Sequence, residues 1–162
     1  MTVVVAACNE EKTIEAALKS LLRVDYPDLE LIVMDDRSED GTGEIIDRLA
    51  QNEDRIRVVH IRELPEGWLG KLNALEQGTR LATGKYIIYT DADVHYSPDA
   101  IRRAVALCER DDLGHLALLP RIYGQSIGMM MAIPLFFTGY LNALNVHALD
   151  KPGSKSFAGA GA

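Results

Sequence analysis

The chain has 162 residues, a length that fits one domain, and its 48% hydrophobic and 25% charged residues are the balance of an ordinary globular protein rather than a disordered one. Its formal net charge of −7 argues against a broad nucleic-acid-binding face, which needs clustered Lys and Arg. A small anionic ligand remains compatible with that charge, because one lysine and a metal ion reverse the local sign inside a cleft.

Thr2–Cys8 (TVVVAAC) is a short, continuous, valine-rich run and reads as a buried strand. Asn9 is placed to cap the following helix, with Glu10 and Glu11 in its first turn and Ile14, Ala17, Leu18, Leu21 and Leu22 at helical spacing. After the turn Tyr26-Pro27-Asp28, LELIVMD (29–35) is a second strand, running into the turn-rich Asp36-Arg37-Ser38-Glu39-Asp40-Gly41. A helix with Ile45, Ile46 and Leu49 on one face follows, then a third strand, RIRVVHI (55–61). A loop with Pro65, Gly67 and Trp68 leads to a helix over 71–82 whose expected inner stripe is Leu72, Leu75, Thr79 and Ala82. KYIIYTD (85–91) is the fourth strand, Ser97-Pro98 opens another helix, and LGHLALLP (113–120) has the composition of a fifth strand. Cys8 and Cys108 lack metal-site spacing and read as buried free thiols in a reducing setting; nothing after Met1 resembles a signal peptide.

Strands alternating with helices imply an α/β fold with a mostly parallel sheet covered on both faces. Ligands of such sheets sit beyond the carboxyl ends of the strands. Polar residues gather at those ends: Asn9 and Glu10 after the first strand, Asp35 and Asp36 after the second, Asp91 and Asp93 after the fourth. On an extended segment i and i+2 point the same way. Asp91 and Asp93 then face one point, and a hard cation such as Mg²⁺ or Mn²⁺ would relieve their repulsion while holding a diphosphate. The alternative is a solvated loop with a helix-capping Asp. His95 is a possible addition to the metal shell. Trp68 is either a platform for a sugar or acceptor, or a side chain packed under its loop. No phosphate-binding glycine loop of the G-x-x-x-x-G-K-[ST] or G-x-G-x-x-G type occurs in the required context.

Three blocks, VVVAACNEEKTIEAALKSLL, LELIVMDDRSEDGT and GWLGKLNALEQGTRLATGKYIIYTDADV, together resemble family 2 glycosyltransferases of the GT-A fold over about Thr2 to Pro98. GWLGKLNAL and TDADVHYSP resemble the membrane-associated branch that includes ceramide glucosyltransferases and hopanoid-associated glycosyltransferases. The resemblance implies a UDP-sugar donor, Mg²⁺ or Mn²⁺, inverting transfer to a hydroxylated, lipidic acceptor, and a cytoplasmic location at a membrane face. It also implies roles: Asp36, with Asp35 behind it, bonds uracil; Ala6, Asn9 and Glu10 line the nucleotide pocket; Lys71 lies near the nucleotide. Asp91 holds the ribose and the metal, and Asp93 is the more direct metal ligand. A sugar-nucleotide nucleotidyltransferase would need a glycine-rich, basic loop after the first strand, and ACNEEKTIEA is poor in both. A noncatalytic nucleotide-binding fragment or assembly module is the other alternative.

No Asp, Glu, Lys or Arg occurs between Arg121 and Asp150. Within that stretch, 126–146 reads as a membrane-interfacial helix, a buried core helix or a spanning segment. The expected division is a donor-binding region over 1–121 and the start of an acceptor-facing, membrane-proximal region over 122–162. The general base expected of such an enzyme is not identifiable, Asp40, Glu63 and Asp150 being the fallback candidates. The chain therefore reads as the donor-binding part of a longer protein, with the base beyond Ala162 and the chain alone inactive in transfer.

Overall fold

A computed structural model of the chain describes residues 1–119, 121 and 126–143. The chain divides into two units, Met1–Asp112 and Leu113–Ala162. The first unit runs β1 (Thr2–Ala7), α1 (Ile14–Leu22), β2 (Glu30–Asp36), α2 (Thr42–Ala50), β3 (Ile56–Ile61), α3 (Gly70–Leu81), β4 (Ile87–Asp91) and α4 (Ala100–Arg110). The second contains α5 (Ile127–Ala143).

The four strands form one parallel sheet in the order β3-β2-β1-β4. β1 and β2 are buried on both faces, which is why their sequences are continuous apolar runs rather than alternating ones. Side chains alternate across the sheet and so divide between two cores. Val3, Val5, Leu31 and Val33 meet Ile14, Leu18 and Leu21 of α1, Ile46 of α2 and Ile101 and Val105 of α4. On the other face Val4, Ile32, Met34 and Ile61 meet Ala74 of α3. Each fully buried Val, Leu or Ile contributes roughly 1.5–3 kcal/mol relative to exposure.

The chain builds outward from β1 through β2 to β3, then returns to the other side of β1 for β4. The direction of winding reverses between β1 and β4, and a crevice opens there at the carboxyl ends. In register, Ala6 lies beside Asp91 on one side, Ala7 beside Asp35 on the other, and Asp35 beside His60.

Several local expectations are corrected. Asn9 does not cap α1: it sits at φ 58, and the helix begins at Ile14, with Thr13 in the cap position. α4 begins at Ala100 behind Asp99 rather than at Pro98, and the Ser97 hydroxyl donates to the Asp99 carboxylate at 2.9 Å. The residues that α3 buries fully are Asn73, Ala74 and Gly78; of the expected stripe Leu75 and Ala82 pack partly buried against the same core, while Leu72 is 55% exposed. Small residues win there because α3 lies directly on β1 and β2, and a larger side chain would hold it off. Residues 113–119 form no strand.

α5 is 17 residues long, about 25 Å at 1.5 Å per residue. It carries no charge, contains Pro134, and exposes Met129, Met130, Met131, Leu135 and Phe136. Among the described residues no helix is long and apolar enough to cross a membrane. Residues 144–146 of the uncharged stretch, Asp150 and the terminal glycine-rich segment lie outside the described residues.

The close contact of α3 with β1 is testable. A Cβ at Gly78 would overlap the Val4 Cγ1 methyl and touch Met34 Cγ. Alanine gains about 1 kcal/mol of helix propensity over glycine, whereas overpacking a filled core costs about 1–3 kcal/mol. Gly78→Ala is expected to lower stability by about 1 kcal/mol net, the middle of the range these terms give, seen as a lower urea midpoint with an unchanged slope. An unchanged or higher midpoint would show that α3 can move off β1 freely.

Candidate functional site

The end of β2 places two consecutive carboxylates in the interior, Asp35 at 6% and Asp36 at 4% exposure. Successive strand residues point to opposite faces, so the two acids meet different partners. On the α2 side, Asp35 Oδ2 lies 2.7 Å from His60 Nδ1, and His60 Nε2 lies 3.0 Å from Asp47 Oδ1. Gly43 in the first turn of α2 leaves room for this pair, since a Cβ there would come within 3.0 Å of Asp35 Oδ2. The second oxygen, Asp35 Oδ1, is buried without a hydrogen-bond partner among the described residues. The hydrogen bond to Asp35, reinforced by Asp47, raises the His60 pKa above its ordinary value against the opposing effect of burial.

On the α3 side, Arg37 Nε donates to Asp36 Oδ1 at 2.8 Å and Nη2 to Oδ2 at 3.1 Å, a bidentate pair. Arg37 adopts φ 57, a left-handed conformation that turns its side chain back over the acid. Gly70, the first residue of α3, accommodates the pair: a Cβ there would overlap Asp36 Oδ2 and Arg37 Nη2. Bonding to Asp36 raises the Arg37 pKa further.

The end of β1 is bound to the loop after β2. The Asn9 N–H donates to Ser38 Oγ at 3.0 Å, and the Glu39 N–H donates to Asn9 Oδ1 at 2.8 Å. The Glu10 N–H donates to Thr42 Oγ1 at 2.7 Å, and the Gly41 N–H to Glu11 Oε2 at 3.1 Å. The Glu10 carboxylate accepts the Thr13 hydroxyl. Asp40 accepts both the N–H and the hydroxyl of Thr42, and the hydroxyl bond is the main cause of its lowered pKa. Asp40, a fallback candidate for the base, braces the loop here, its second oxygen accepting the Glu11 N–H at 3.2 Å. Cys8, at the start of this loop, is exposed rather than buried. Its thiol pKa is raised, first by desolvation and then by the Asp36 carboxylate.

At the end of β4, Asp91 Oδ1 pairs with Lys71 Nζ at 2.7 Å. Lys71 projects from the first turn of α3. The chain does not continue extended past Asp91. It turns at Ala92-Asp93, with the Val94 N–H directed back to the Asp91 carbonyl at 3.5 Å. Ala92 is buried and Asp93 exposed. The premise that Asp91 and Asp93 share a facing because the segment is extended therefore fails. Among the described residues no three of His, Cys, Asp or Glu come together as a metal cage, so His95, which is exposed, does not complete one. Trp68 is 43% exposed rather than packed under its loop. The end of β4 offers Asp91, paired with Lys71 of α3, and the turn after it adds the exposed Asp93. That donor set suits a hard divalent ion that keeps most of its coordination for phosphate oxygens and water, and it does not suit a metal held by protein alone.

Ala6, Asp35, Asp36, Lys71 and Asp91 thus gather at the carboxyl ends, with Asn9 and Glu10 bracing the rim. Arg37, His60, Gly43 and Gly70 are site residues that sequence reasoning did not single out. His60, one residue before the end of β3, is brought beside Asp35 by the register of the sheet, which the sequence alone does not show.

A parallel sheet in the order β3-β2-β1-β4, with carboxylates at its switch point and a helix start facing them, is an α/β architecture of the GT-A type. Residues 2–154 match glycosyl transferase family 2, and the chain belongs to that family. It is 35% identical over 127 residues to a poly-beta-1,6-N-acetyl-D-glucosamine synthase of Staphylococcus aureus (strain COL), covering 78% of this chain and 30% of that protein. It is 34% identical over 116 residues to a beta-monoglucosyldiacylglycerol synthase of Nostoc sp. (strain PCC 7120), covering 70% of this chain and 24% of the relative. Among solved structures, a mannosyltransferase from Pyrobaculum calidifontis in complex with GDP-Man and Mn²⁺ superimposes with a TM-score of 0.60 at 34% identity, covering 66% of this chain and 31% of the other. The chain thus spans a third or less of the length of each of these proteins.

The His60 bridge predicts a pH dependence of stability. An unfolded histidine titrates near about 6.5, and its partners raise the folded value above that. The contribution of the imidazolium is complete below the unfolded pKa and is lost as pH rises through the folded one. Urea unfolding of wild type from about pH 5.5 to about pH 8.5 is expected to show this loss as a local fall in stability. His60→Gln, neutral throughout, removes that component. Parallel pH profiles for the two proteins would show that the bridge carries no proton-linked stability.

Proposed function

We propose that this domain binds a nucleoside-diphospho-sugar, uridine being the preferred nucleoside, and that the protein transfers the sugar to a hydroxylated, lipidic acceptor with the help of Mg²⁺ or Mn²⁺. The observation that carries this reading is the register of the sheet. Asp36 and Asp91 end the two strands that flank β1, across the switch point from one another, and the start of α3 faces both through Gly70 and Lys71.

In this reading Asp36 accepts the ring N–H of the base. Uracil offers N3–H and guanine N1–H in that position, whereas adenine and cytosine present a ring nitrogen that can only accept. Guanosine is the second reading, favoured by the similar mannosyltransferase with GDP-Man. Ala6, with a short side chain at the end of β1, lets the nucleoside lie against the sheet edge. Asn9 and Glu10 hold the rim through the loop-to-loop bonds. Lys71 and the first turn of α3 draw the diphosphate, and Asp91 and Asp93 hold the metal, Asp93 more directly. When bound, the metal acts as a Lewis acid that stabilises the departing diphosphate. Residues 1–121 serve the donor and 122–162 begin the acceptor side. The chain alone is expected to bind the donor without turning it over, because no described residue is placed as the general base.

A lipidic acceptor is supported by the diacylglycerol-acting name of the Nostoc relative and by α5. A helix apolar all round needs lipid or protein over it. In this proposal α5 meets the cytoplasmic face of a membrane.

Calorimetry tests the donor site. A hydrogen bond to a charged group is worth about 1.5–3 kcal/mol, or about 10- to 150-fold in affinity. With Mn²⁺ present, UDP is expected to bind at least about tenfold more tightly than ADP, and Asp36→Ala to erase most of the gap. Asp93→Asn is expected to remove the metal-dependent part of UDP binding. Equal affinity of wild type for UDP, GDP and ADP would refute the role of Asp36. For the membrane, liposome co-sedimentation of the chain is expected to fall when Leu135 and Phe136 are changed to Ser; a folded chain that never sediments with lipid would leave α5 a protein-covered helix.

A further inference from the structure

The ion pair between Lys71 and Asp91 occupies one of the two carboxylates proposed to take the metal. Its N–O distance is 2.7 Å, and both side chains keep access to solvent, at 33% and 45% exposure, so the pair can open without unpacking the fold. Lys71 also stands in the first turn of α3, where the helix dipole disfavours a cation and favours an anion. The first turn has no acidic residue to offset this. Asp91, at the end of β4, provides the compensating charge to Lys71. A phosphate arriving at the same helix start would satisfy both the dipole and the ammonium.

We propose that Lys71 is an exchangeable counter-ion. Without donor it neutralises Asp91; when a divalent metal and a nucleoside diphosphate arrive together, the metal takes Asp91 and the Lys71 ammonium passes to a diphosphate oxygen. The lysine suits this exchange because its charge sits on a flexible four-carbon stem with three rotatable donors. The exchange conserves charge pairing: one ammonium–carboxylate contact is replaced by a metal–carboxylate and an ammonium–phosphate contact. Metal alone must break the resting pair and leave Lys71 beside a dication. Nucleotide alone finds Lys71 engaged and Asp91 and Asp93 repelling it. Each ligand therefore helps the other, and by linkage the help is equal in both directions.

This inference rests on the donor-site reading above and goes beyond it in giving Lys71 two successive partners, Asp91 and the diphosphate. The test is Mn²⁺ binding to the full chain, followed by the electron paramagnetic resonance signal of free Mn²⁺, with and without UDP, for wild type, Lys71→Met and Lys71→Arg. Wild type is expected to bind Mn²⁺ weakly alone and at least about tenfold more tightly with UDP, within the usual range of coupling between sites. Lys71→Met is expected to bind Mn²⁺ alone about fivefold more tightly than wild type, the scale of a partly exposed ion pair and its repulsion. The same variant is expected to bind UDP more weakly at saturating Mn²⁺, so the coupling shrinks. Lys71→Arg is expected to retain weak binding of Mn²⁺ alone. Opposite shifts for metal and nucleotide cannot come from a loss of folding, which weakens both. If Lys71→Met leaves Mn²⁺ binding unchanged or weaker while wild type shows UDP-dependent Mn²⁺ binding, the exchange is wrong and the donor site stands. If wild type binds neither UDP nor Mn²⁺, the donor-site reading fails and the exchange with it.

Discussion

Two adjacent carboxylates at the end of a strand buried on both faces are the constraint around which this domain is arranged. Removing an ionised carboxylate from water without compensation is prohibitive on the scale of a domain's stability. Alternation along β2 denies Asp35 and Asp36 a common partner, so each face must supply its own. One face supplies His60, braced by Asp47, and the other supplies Arg37. Both acids also lie at the start of a helix, where the dipole is favourable to an anion. Gly43 and Gly70 make that proximity possible, because a methyl group at either place would press on the carboxylate or its partner.

The same demand organises the loops. The turn after Asp36 has to place Arg37 back over the acid, and it does so with a left-handed residue. That turn would be mobile if left to itself. It is instead bonded across to the loop after β1 through Asn9, Glu10 and Glu11, so two strand ends share one scaffold. Gly70 and Lys71 are consecutive, and they tie α3 to Asp36 on one side of β1 and to Asp91 on the other. One helix start thus connects the part of the crevice assigned to the base with the part assigned to the diphosphate, and a shift of α3 would be felt at both.

The sheet and its strand ends were legible because valine runs and their acidic terminators are local signals. Val3–Val5 and Leu31–Met34 announce doubly covered strands, and the acids that follow announce the edge where ligand chemistry gathers. Helix α1 was legible from Ile14, Ala17, Leu18 and Leu21, all of which are buried. The stripe of α3 was not, because its contact is made by Ala74 and Gly78, and hydrophobic periodicity cannot see a face built from small residues. His60 could not be assigned without the register that brings it beside Asp35. Asn9 carried a cap signal, yet its amide serves a loop thirty residues away, as Asn does in turns as well as caps. The facing of Asp91 and Asp93 depended on extended backbone, and the turn at Ala92 removed that condition.

An acidic chain proposed to receive an anionic ligand raises an electrostatic question, since a net charge of −7 should oppose the approach. The local arrangement answers it. Every strand-end carboxylate facing the crevice from within the sheet is already paired: Asp35 with His60, Asp36 with Arg37, Asp91 with Lys71. Over distances longer than about 8–10 Å, the surface charges elsewhere are screened at physiological salt. In the proposed site a phosphate would meet the N–H groups at the start of α3 and an ammonium–carboxylate pair rather than a row of bare acids. Pairing that is a condition for burying acids in the fold therefore also lowers the negative charge at the strand ends, while Asp93 stays exposed and open to a cation.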